Sequence, residues 1–159
     1  MSANLNASVS ASVSVSWPAS LKGEVRTLVD LLFQLLDSKS PQAGSRLVQE
    51  VFTEDAKFFS SSGYFQGQDI ASSRDGIWEK FEIRSHELRK IYFNDADDGQ
   101  DLDLLIVGGA IVKPLGGKAT ALEFIGRAIV VQGTVKGPRV RYYQPIVPGA
   151  AGQPILAHV

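Results

Sequence analysis

The stretch FTEDAKFFSSSGYFQG, residues 52–67, marks the place where the chain changes from one kind of secondary structure to another. It follows a helical pattern, and its residues 57–59 have the chemistry of a β-strand. It then closes in serines and glycines, which are typical of a turn. This stretch therefore predicts a helical first part of the chain and a strand-rich second part.

Two helices are predicted before this stretch. Residues 21–36 carry apolar side chains at i, i+3/i+4 and i+7 spacing, which predicts a largely buried helix with Ser20 as its N-cap. Ser40 and Pro41 begin a second, shorter helix, because a capping residue followed by proline is typical of a helix start. Both helices present an apolar side to the rest of the chain.

A third helix and four strands are predicted after it. The helix begins near Asp69, and its apolar face continues to Phe81 although Gly76 weakens its interior. Four extended segments follow, separated by turn compositions: residues 86–93, 102–113, 119–132 and 139–147. Consecutive strands joined by short turns form an antiparallel meander.

The predicted fold class is α+β, with three N-terminal helices packed on a strongly curved antiparallel sheet. Gly108, Gly109 and Gly126 lie inside predicted strands. Glycines in strands indicate bulges or bends, which a sheet that curls around helices requires.

The segment ASVSASVSVSW, residues 7–17, alternates small apolar residues with serine, which is the period of a strand with one apolar face. An open sheet has an exposed edge that recruits strands. We therefore predict that this segment pairs with the sheet edge of its own subunit or of a dimer partner; the alternative is a disordered, serine-rich leader. The predicted organisation is this segment within residues 1–19, one domain at 20–148 and a flexible tail at 149–159.

The composition argues against several classes of function. The chain has 159 residues, of which 44% are hydrophobic and 21% charged, as in a soluble globular domain. A net charge of −1 gives no electrostatic argument for nucleic acid or an anionic membrane, and no apolar run approaches the ~20 residues of a membrane span. Cysteine is absent, so disulfides and thiolate chemistry are not expected. No signal peptide is expected, and the predicted location is cytoplasmic.

Motifs for metals and cofactors are incomplete. NDADDGQD, residues 94–101, resembles a calcium loop, but placing Gly99 on the invariant glycine puts Ala96 and Leu105 at ligand positions. PLGGKAT, residues 114–120, lacks the first glycine and the Ser/Thr after lysine that a P-loop needs. With two histidines and no metal-binding spacing, we expect no metal site and no cofactor.

The order of elements and three segments resemble a known family. The segments LFQLLDSK, LVQEVFTEDAKFFSSSGYFQGQDIASSRDGIWEKF and GPRVRYYQPIV are similar to the NTF2-like superfamily, in particular its SnoaL-like polyketide cyclase and ketosteroid isomerase branch. The resemblance rests on three features: the FTEDA segment that leads into the first strand, Gly67 before the third helix, and the final turn and strand. The resemblance covers residues 21–147, and it implies a cone-shaped cavity and a homodimer formed through the sheet.

His86 and Glu123 are the candidate catalytic residues. Histidine is the natural proton shuttle near neutral pH, and SnoaL-like and scytalone dehydratase-like proteins often have pocket residues where His86 stands; the alternative is a surface histidine. Glu123 and Arg127 point to the same face of one strand. Either this pair lines the cavity, with the carboxylate as a base or an anchor, or it lies on the outer face of the sheet.

The candidate substrate-binding residues are Tyr64, Trp78, Arg127, Arg141 and Tyr143. The resemblance puts Arg141 and Tyr143 on the cavity side, where a tyrosine hydroxyl donates to a developing oxyanion. Tyr64 and Trp78 are expected at the cavity mouth, or as ordinary core. The ketosteroid isomerases have their general-base aspartate where this chain has Ser60, so enolisation by that residue is not expected.

The favoured function is a small, cofactor-independent enzyme of natural-product biosynthesis. It would bind a hydrophobic, oxygenated intermediate and isomerise, cyclise or dehydrate it by proton transfer. The alternative is a non-catalytic module for ligand binding or dimerisation, because fold does not fix function. Cavity geometry separates the two, since an enzyme needs polar groups that converge on one cavity.

Overall fold

The computed structural model describes residues 14–60, 62–95 and 101–146. The helices are α1 (Gly23–Leu36), α2 (Ala43–Arg46) and α3 (Ile77–Lys80); a π-helical turn, Leu47–Val51, follows α2, and a 3-10 segment spans Gly67–Arg74. The strands are β1 (Phe52–Ser60), β2 (Gly63–Gln66), β3 (Phe81–Asp95), β4 (Asp101–Pro114), β5 (Thr120–Val131) and β6 (Arg139–Ile146). The predicted α+β arrangement of helices on one sheet is confirmed.

The six strands form one open sheet in the order β2-β1-β6-β5-β4-β3. The meander β3 to β6 is antiparallel, as predicted. β1 runs parallel to β6, because it comes from the helical part of the chain and joins the free edge of the meander instead of continuing it. The sheet is therefore mixed rather than purely antiparallel.

The core lies between α1 and the inner, concave face of the sheet. Val25, Val29 and Leu32 of α1 are fully buried together with Leu104 and Ile106 of β4. The apolar stripe that predicted α1 is therefore the stripe that the fold buries.

The first turn of α1 differs from the prediction. The helix begins at Gly23, and Lys22 stands at the N-cap position without a side-chain hydrogen bond. The Leu21 amide donates to the carbonyl oxygen of Pro18 at 3.1 Å and closes a turn there. Ser20 is therefore part of that turn and does not cap the helix.

The third predicted helix is interrupted. Gly76 has a φ of 69°, a left-handed conformation that other residues rarely adopt. The chain therefore turns between the 3-10 segment and α3, and β3 begins at Phe81 rather than at His86. His86 consequently lies inside a strand.

A register shift between Leu88 and Lys90 divides β3. Before the shift, Arg84, His86 and Leu88 face the inside of the fold; after it, Ile91 does. Gly108 of β4 lies opposite Leu88, and a Cβ there would come within 2.4 Å of the Glu87 carbonyl oxygen. The glycine predicted to mark a bend thus permits a close approach of two strands.

The N-terminal segment meets the sheet at one point. The Ser16 amide donates to the Arg89 carbonyl oxygen at 2.9 Å, and the Ile91 amide donates to the Ser16 carbonyl oxygen at 3.1 Å. Ser16 thereby pairs in parallel with the edge strand β3 of the same chain. Residues 7–13 of the alternating segment and the tail at 149–159 lie outside the described residues.

None of the helices in the described part of the chain is long and apolar enough to span a membrane. The cytoplasmic location stays a prediction.

Candidate active site

A cavity of about 310 Å³ lies between the C-terminal end of α1 and the inner face of the sheet. Apolar side chains from α1, β1 and the meander form most of its wall. The polar side chains that line it are Ser60, Arg74, Arg84, His86 and Tyr143. An apolar cavity with a few convergent polar groups is the usual form of a small-molecule site.

His86 is held by a carboxylate that lies behind it. The His86 Nδ1 is 2.5 Å from Asp37 Oδ1, and the His86 backbone N–H donates to Asp37 Oδ2 at 2.8 Å. A carboxylate at Nδ1 favours the tautomer in which Nδ1 carries the proton, so Nε2 keeps its lone pair. Nε2 makes no hydrogen bond with any described residue and is free to accept a proton from a molecule in the cavity.

The local structure explains how this pair is positioned. Asp37 is the C-cap residue directly after α1, and its N–H donates to the Phe33 carbonyl oxygen. A negative charge at a helix C-terminus interacts unfavourably with the helix dipole, so the Asp37 carboxylate does not stabilise α1. The imidazole of His86 packs edge-on against Phe33 and Phe124, each with ring centroids 5.3 Å away.

Tyr143 is a neutral hydrogen-bond donor within reach of the cavity. It is 2% exposed, and its hydroxyl makes no hydrogen bond with a described residue. Burial raises the pKa of this phenol far above its usual range, the charge of Asp37 raises it further, and Arg74 offsets part of the effect. The hydroxyl therefore stays protonated and suits a substrate carbonyl.

Gly126 makes room for that hydroxyl. A Cβ at this position would lie 2.9 Å from the Tyr143 hydroxyl oxygen, which is closer than real Cβ contacts come. The glycine predicted to mark a bend in β5 thus also shapes the site.

Arg74 brings a buried positive charge to the cavity. It is 9% exposed, and its guanidinium lies 5.7 Å from the centre of the Phe58 ring. Its hydrogen bonds within the described residues are two long ones of 3.4 Å, to the Leu36 carbonyl oxygen and to Ser73 Oγ. The pKa of Arg74 is lowered to about 10, first by burial and then by the neighbouring charge of Arg84, whereas Asp37 acts in the opposite direction.

Arg84 brings a second charge. Its Nη1 is buried and has no hydrogen-bond partner in the described part of the chain, and its guanidinium lies 5.3 Å from the centre of the Phe81 ring. Burial lowers the pKa of Arg84, and Asp37 again acts in the opposite direction. Within the described residues, neither cavity arginine forms an ion pair with a carboxylate.

Glu123 lies outside the cavity, although it was a candidate catalytic residue. Its side chain is 84% exposed and is 3.7 Å from Arg89 Nη1. Arg127 shares that face and donates to both carboxylate oxygens of Asp103, at 3.0 and 2.8 Å. The apolar parity of β5, which includes Phe124, faces the cavity. Of the two alternatives for this pair, the structure has the outer-face arrangement.

Arg141 also lies outside, because a register shift in β6 breaks the alternation that put it with Tyr143. Val130 pairs with Val140 and Ile129 with Tyr142, so Arg141 is the extra residue between them. Its side chain turns outward and pairs with Asp101 at 2.5 Å.

The two expected mouth aromatics do not line the cavity. Tyr64 is 48% exposed, and its hydroxyl donates to Gln66 Oε1 at 3.0 Å. Trp78 is half-buried, and its Nε1 donates to the Ser38 carbonyl oxygen at 2.9 Å. Among the candidates, His86 and Tyr143 are the ones that line the cavity.

Sequence reasoning missed Asp37, Arg74 and Arg84. Arg84 shares its strand face with His86 two residues away, so the alternation could have found it. Asp37 carries a weaker signal, an acidic residue at the end of a helix where cations are favoured. Arg74 lies in a 3-10 segment without a useful period.

The described residues contain no group of three metal-ligating side chains.

Comparisons with known proteins identify the fold. No family model matches the sequence, and no curated protein matches it. An NTF2-like superfamily protein from Salmonella enterica is 15% identical with a TM-score of 0.64, and the match covers 81% of this chain and 92% of that one. The chain has the NTF2-like fold.

Two further structures with this NTF2-like fold have enzyme names. A proposed scytalone dehydratase from Novosphingobium aromaticivorans is 15% identical with a TM-score of 0.63, over 79% of this chain and 82% of that one. Hexachlorocyclohexane dehydrochlorinase LinA-type3 from Novosphingobium barchaimii is 10% identical with a TM-score of 0.65, over 82% and 92%. At these identities the likeness is one of fold.

Proposed function

We propose that the protein is a small enzyme that dehydrates, isomerises or cyclises a hydrophobic, oxygenated molecule by proton transfer, as in natural-product biosynthesis. The observation that carries the proposal is the contact of 2.5 Å between His86 Nδ1 and Asp37 Oδ1, with Nε2 left free at the cavity. In this proposal His86 is the catalytic acid/base, Asp37 is its positioning residue, and Tyr143 is the donor to the substrate oxygen.

The reaction begins with a substrate carbonyl that accepts a hydrogen bond from the Tyr143 hydroxyl. His86 Nε2 takes a proton from the neighbouring carbon, Asp37 stabilises the resulting imidazolium, and Tyr143 stabilises the enolate oxygen. In a dehydration the enolate electrons form the new C=C bond. The β-hydroxyl then leaves as water with the proton from His86, so no further reactant is required. In an isomerisation His86 returns the proton to a different carbon.

Two neighbours in fold support an elimination in particular. Their names describe a dehydratase and a dehydrochlorinase, and both names denote removal of a proton and a leaving group from adjacent carbons. The cavity volume of about 310 Å³ suits a molecule of one or two rings.

The test uses two bicyclic ketones as probes. Exchange of the C2 protons of 1-tetralone in D2O, followed by NMR, reports proton abstraction alone. Conversion of 3-hydroxy-1-tetralone to 1-naphthol, followed by fluorescence, reports elimination. We expect the protein to accelerate exchange, and His86→Ala to lower the rate by about 10²- to 10⁴-fold.

Glu123→Gln is the matched control, because the Glu123 side chain is exposed on the outer face; its rates should equal those of the unmodified protein. Equal rates for His86→Ala and the unmodified protein would overturn the proposal. Rates no faster than buffer with both probes would also overturn it, in favour of a non-catalytic binding module.

We propose further that the protein forms a homodimer through the outer face of the sheet. Apolar side chains are exposed there: Tyr92 is 50% exposed, Leu105 43% and Ile111 50%. Tyr92 and Leu105 are partners on neighbouring strands, and exposed apolar side chains surrounded by polar ones are typical of a protein interface. Sedimentation velocity should give a dimer, and Leu105→Lys should convert it to a monomer; a monomeric unmodified protein would contradict this.

A further inference from the structure

The two cavity arginines differ from the arginines on the outer face of the sheet. On the outer face, Arg127 pairs with Asp103 and Arg141 pairs with Asp101. In the cavity, Arg84 Nη1 is buried without a hydrogen-bond partner among the described residues, and Arg74 is 9% exposed. Among these residues Arg74 has two long hydrogen bonds to neutral oxygens and the ring of Phe58 beside it, but no carboxylate partner. Buried charges are normally paired, because an unpaired one loses its hydration without compensation.

The nearby carboxylate does not supply the missing partner. Asp37 is close enough for its charge to act on both arginines, but its two oxygens accept hydrogen bonds from the ring and the backbone of His86. Two guanidinium charges and one carboxylate leave the cavity with one positive charge in excess when His86 is neutral. The wall provides hydrogen-bond donors and charge for an anion, and it is otherwise apolar.

We propose that the molecule bound in this cavity is a monocarboxylate carried on an aromatic or alicyclic ring system, with its carboxylate oxygens accepting hydrogen bonds from Arg84 Nη1 and from Arg74. A planar carboxylate matches the fork of donors that a guanidinium presents. A single negative charge neutralises the single excess charge, whereas a phosphate dianion would leave the cavity negative. The remaining apolar wall and the volume of about 310 Å³ accept a ring system of one or two rings.

This inference names the substrate class of the proposed enzyme and rests on the proposed function for its chemistry, but binding is measured without turnover. The probes are 2-naphthoate and 2-naphthamide, which share a shape and differ in charge, and affinity is measured by isothermal titration calorimetry. We expect 2-naphthoate to bind about tenfold or more tightly than 2-naphthamide. Arg84→Met should remove that preference by weakening 2-naphthoate alone.

Three variants complete the design. Arg84→Lys keeps the charge but loses the fork, so it should retain part of the preference; it also serves if Arg84→Met does not fold, which circular dichroism detects. Arg127→Met, on the outer face, should leave both affinities unchanged. His86→Ala should keep the preference for 2-naphthoate while it loses proton exchange.

Each outcome decides between alternatives. If 2-naphthoate binds no more tightly than 2-naphthamide, the carboxylate proposal is overturned even when the ketone probes show proton transfer. If the preference persists in both Arg84→Met and Arg84→Lys, the assignment to Arg84 is overturned. Selective binding without proton exchange would support the carboxylate site and contradict the enzyme.

Discussion

The inner and outer faces of the same sheet use arginine in opposite ways. On the outer face, Arg127 makes two hydrogen bonds to one carboxylate in partial contact with solvent. On the inner face, Arg84 buries a nitrogen that has no hydrogen-bond partner within residues 14–60, 62–95 and 101–146, and Arg74 is almost fully enclosed. On the outer face, the described chain itself supplies the carboxylate that pairs with the arginine. On the inner face it does not, and a buried charge without a partner is a feature that proteins retain for function rather than for stability.

The largest expected effect is on the rate of proton exchange, and it distinguishes Asp37, beside the cavity, from Asp103, on the outer face of the sheet. Asp37→Asn should lower the rate of proton exchange in 1-tetralone by about 10²- to 10⁴-fold, because an amide no longer fixes the tautomer of His86 or stabilises its protonated form. The concentration of probe for half-maximal rate should change little, since Asp37 acts through His86. Asp103→Asn on the outer face is the control and should leave the rate unchanged. Equal effects of the two variants would contradict the comparison.

The next effect concerns two adjacent glycines that face opposite sides. A Cβ at Gly108 would lie 2.4 Å from the Glu87 carbonyl oxygen and 2.9 Å from the Phe124 ring. A Cβ at Gly109 would meet, among the described residues, only the far end of the long Arg89 side chain within 3.4 Å. Gly108→Ala should lower the free energy of unfolding by about 3 kcal/mol, and Gly109→Ala by less than about 0.5 kcal/mol. Urea denaturation measures both, and similar losses would show that the inner face is not the more tightly packed one.

A smaller effect of opposite sign is expected for the arginines. Without a ligand, Arg84→Met should raise the free energy of unfolding by about 1 kcal/mol, because it removes a buried donor that has no partner. Arg127→Met should lower it by about 0.5 kcal/mol, the usual worth of an exposed ion pair. Thermal and urea unfolding of the two variants checks the signs. A loss of stability in Arg84→Met would show that the inner arginine has a structural partner.

An effect slightly smaller than that of Arg84→Met is a dependence of stability on pH. Burial raises the pKa of Tyr143 above its ordinary value of 10.0, so the unfolded chain releases this proton at a lower pH than the folded protein. The unfolded chain therefore binds fewer protons above pH ~10, and stability falls as pH rises there. At pH ~10.5 the loss from this group is about 0.8 kcal/mol relative to neutral pH.

Urea denaturation between pH ~8 and ~10.5 measures this slope. In Tyr143→Phe the free energy of unfolding should fall less steeply with pH, because the variant has no hydroxyl at this position to titrate. An identical slope in the variant would mean that the hydroxyl is not shielded from solvent.

The fold could be predicted because its signals are local and repeated. The stripe of α1 and the alternation along β4 and β5 are periods that a single sequence displays. The parallel pairing of β1 with β6 has no such signal, because it joins two strands that are distant in sequence. The break at Gly76 was visible as a weak point, but its left-handed conformation was not.

The candidate site was predicted less well, and the reason lies in register. Arg141 and Tyr143 were put on one face by alternation, and a single extra residue in β6 separates them. Asp37 and His86 are 49 positions apart, so no spacing rule connects them. Alternation correctly put Glu123 and Arg127 on the same face of β5. Alternation alone does not say which face of a strand points toward the core.

The parallel pairing of β1 with β6 also determines when the sheet can be completed during synthesis of the chain. β1 emerges from the ribosome before the entire meander, and its partner on the meander side, β6, is the last of the described strands to appear. Until β6 arrives, β1 presents an unpaired edge that invites association with other chains. Because β1 and β6 both contribute to the wall of the cavity, a nascent chain can possess its helices and most of its sheet and still have no place to bind a ligand.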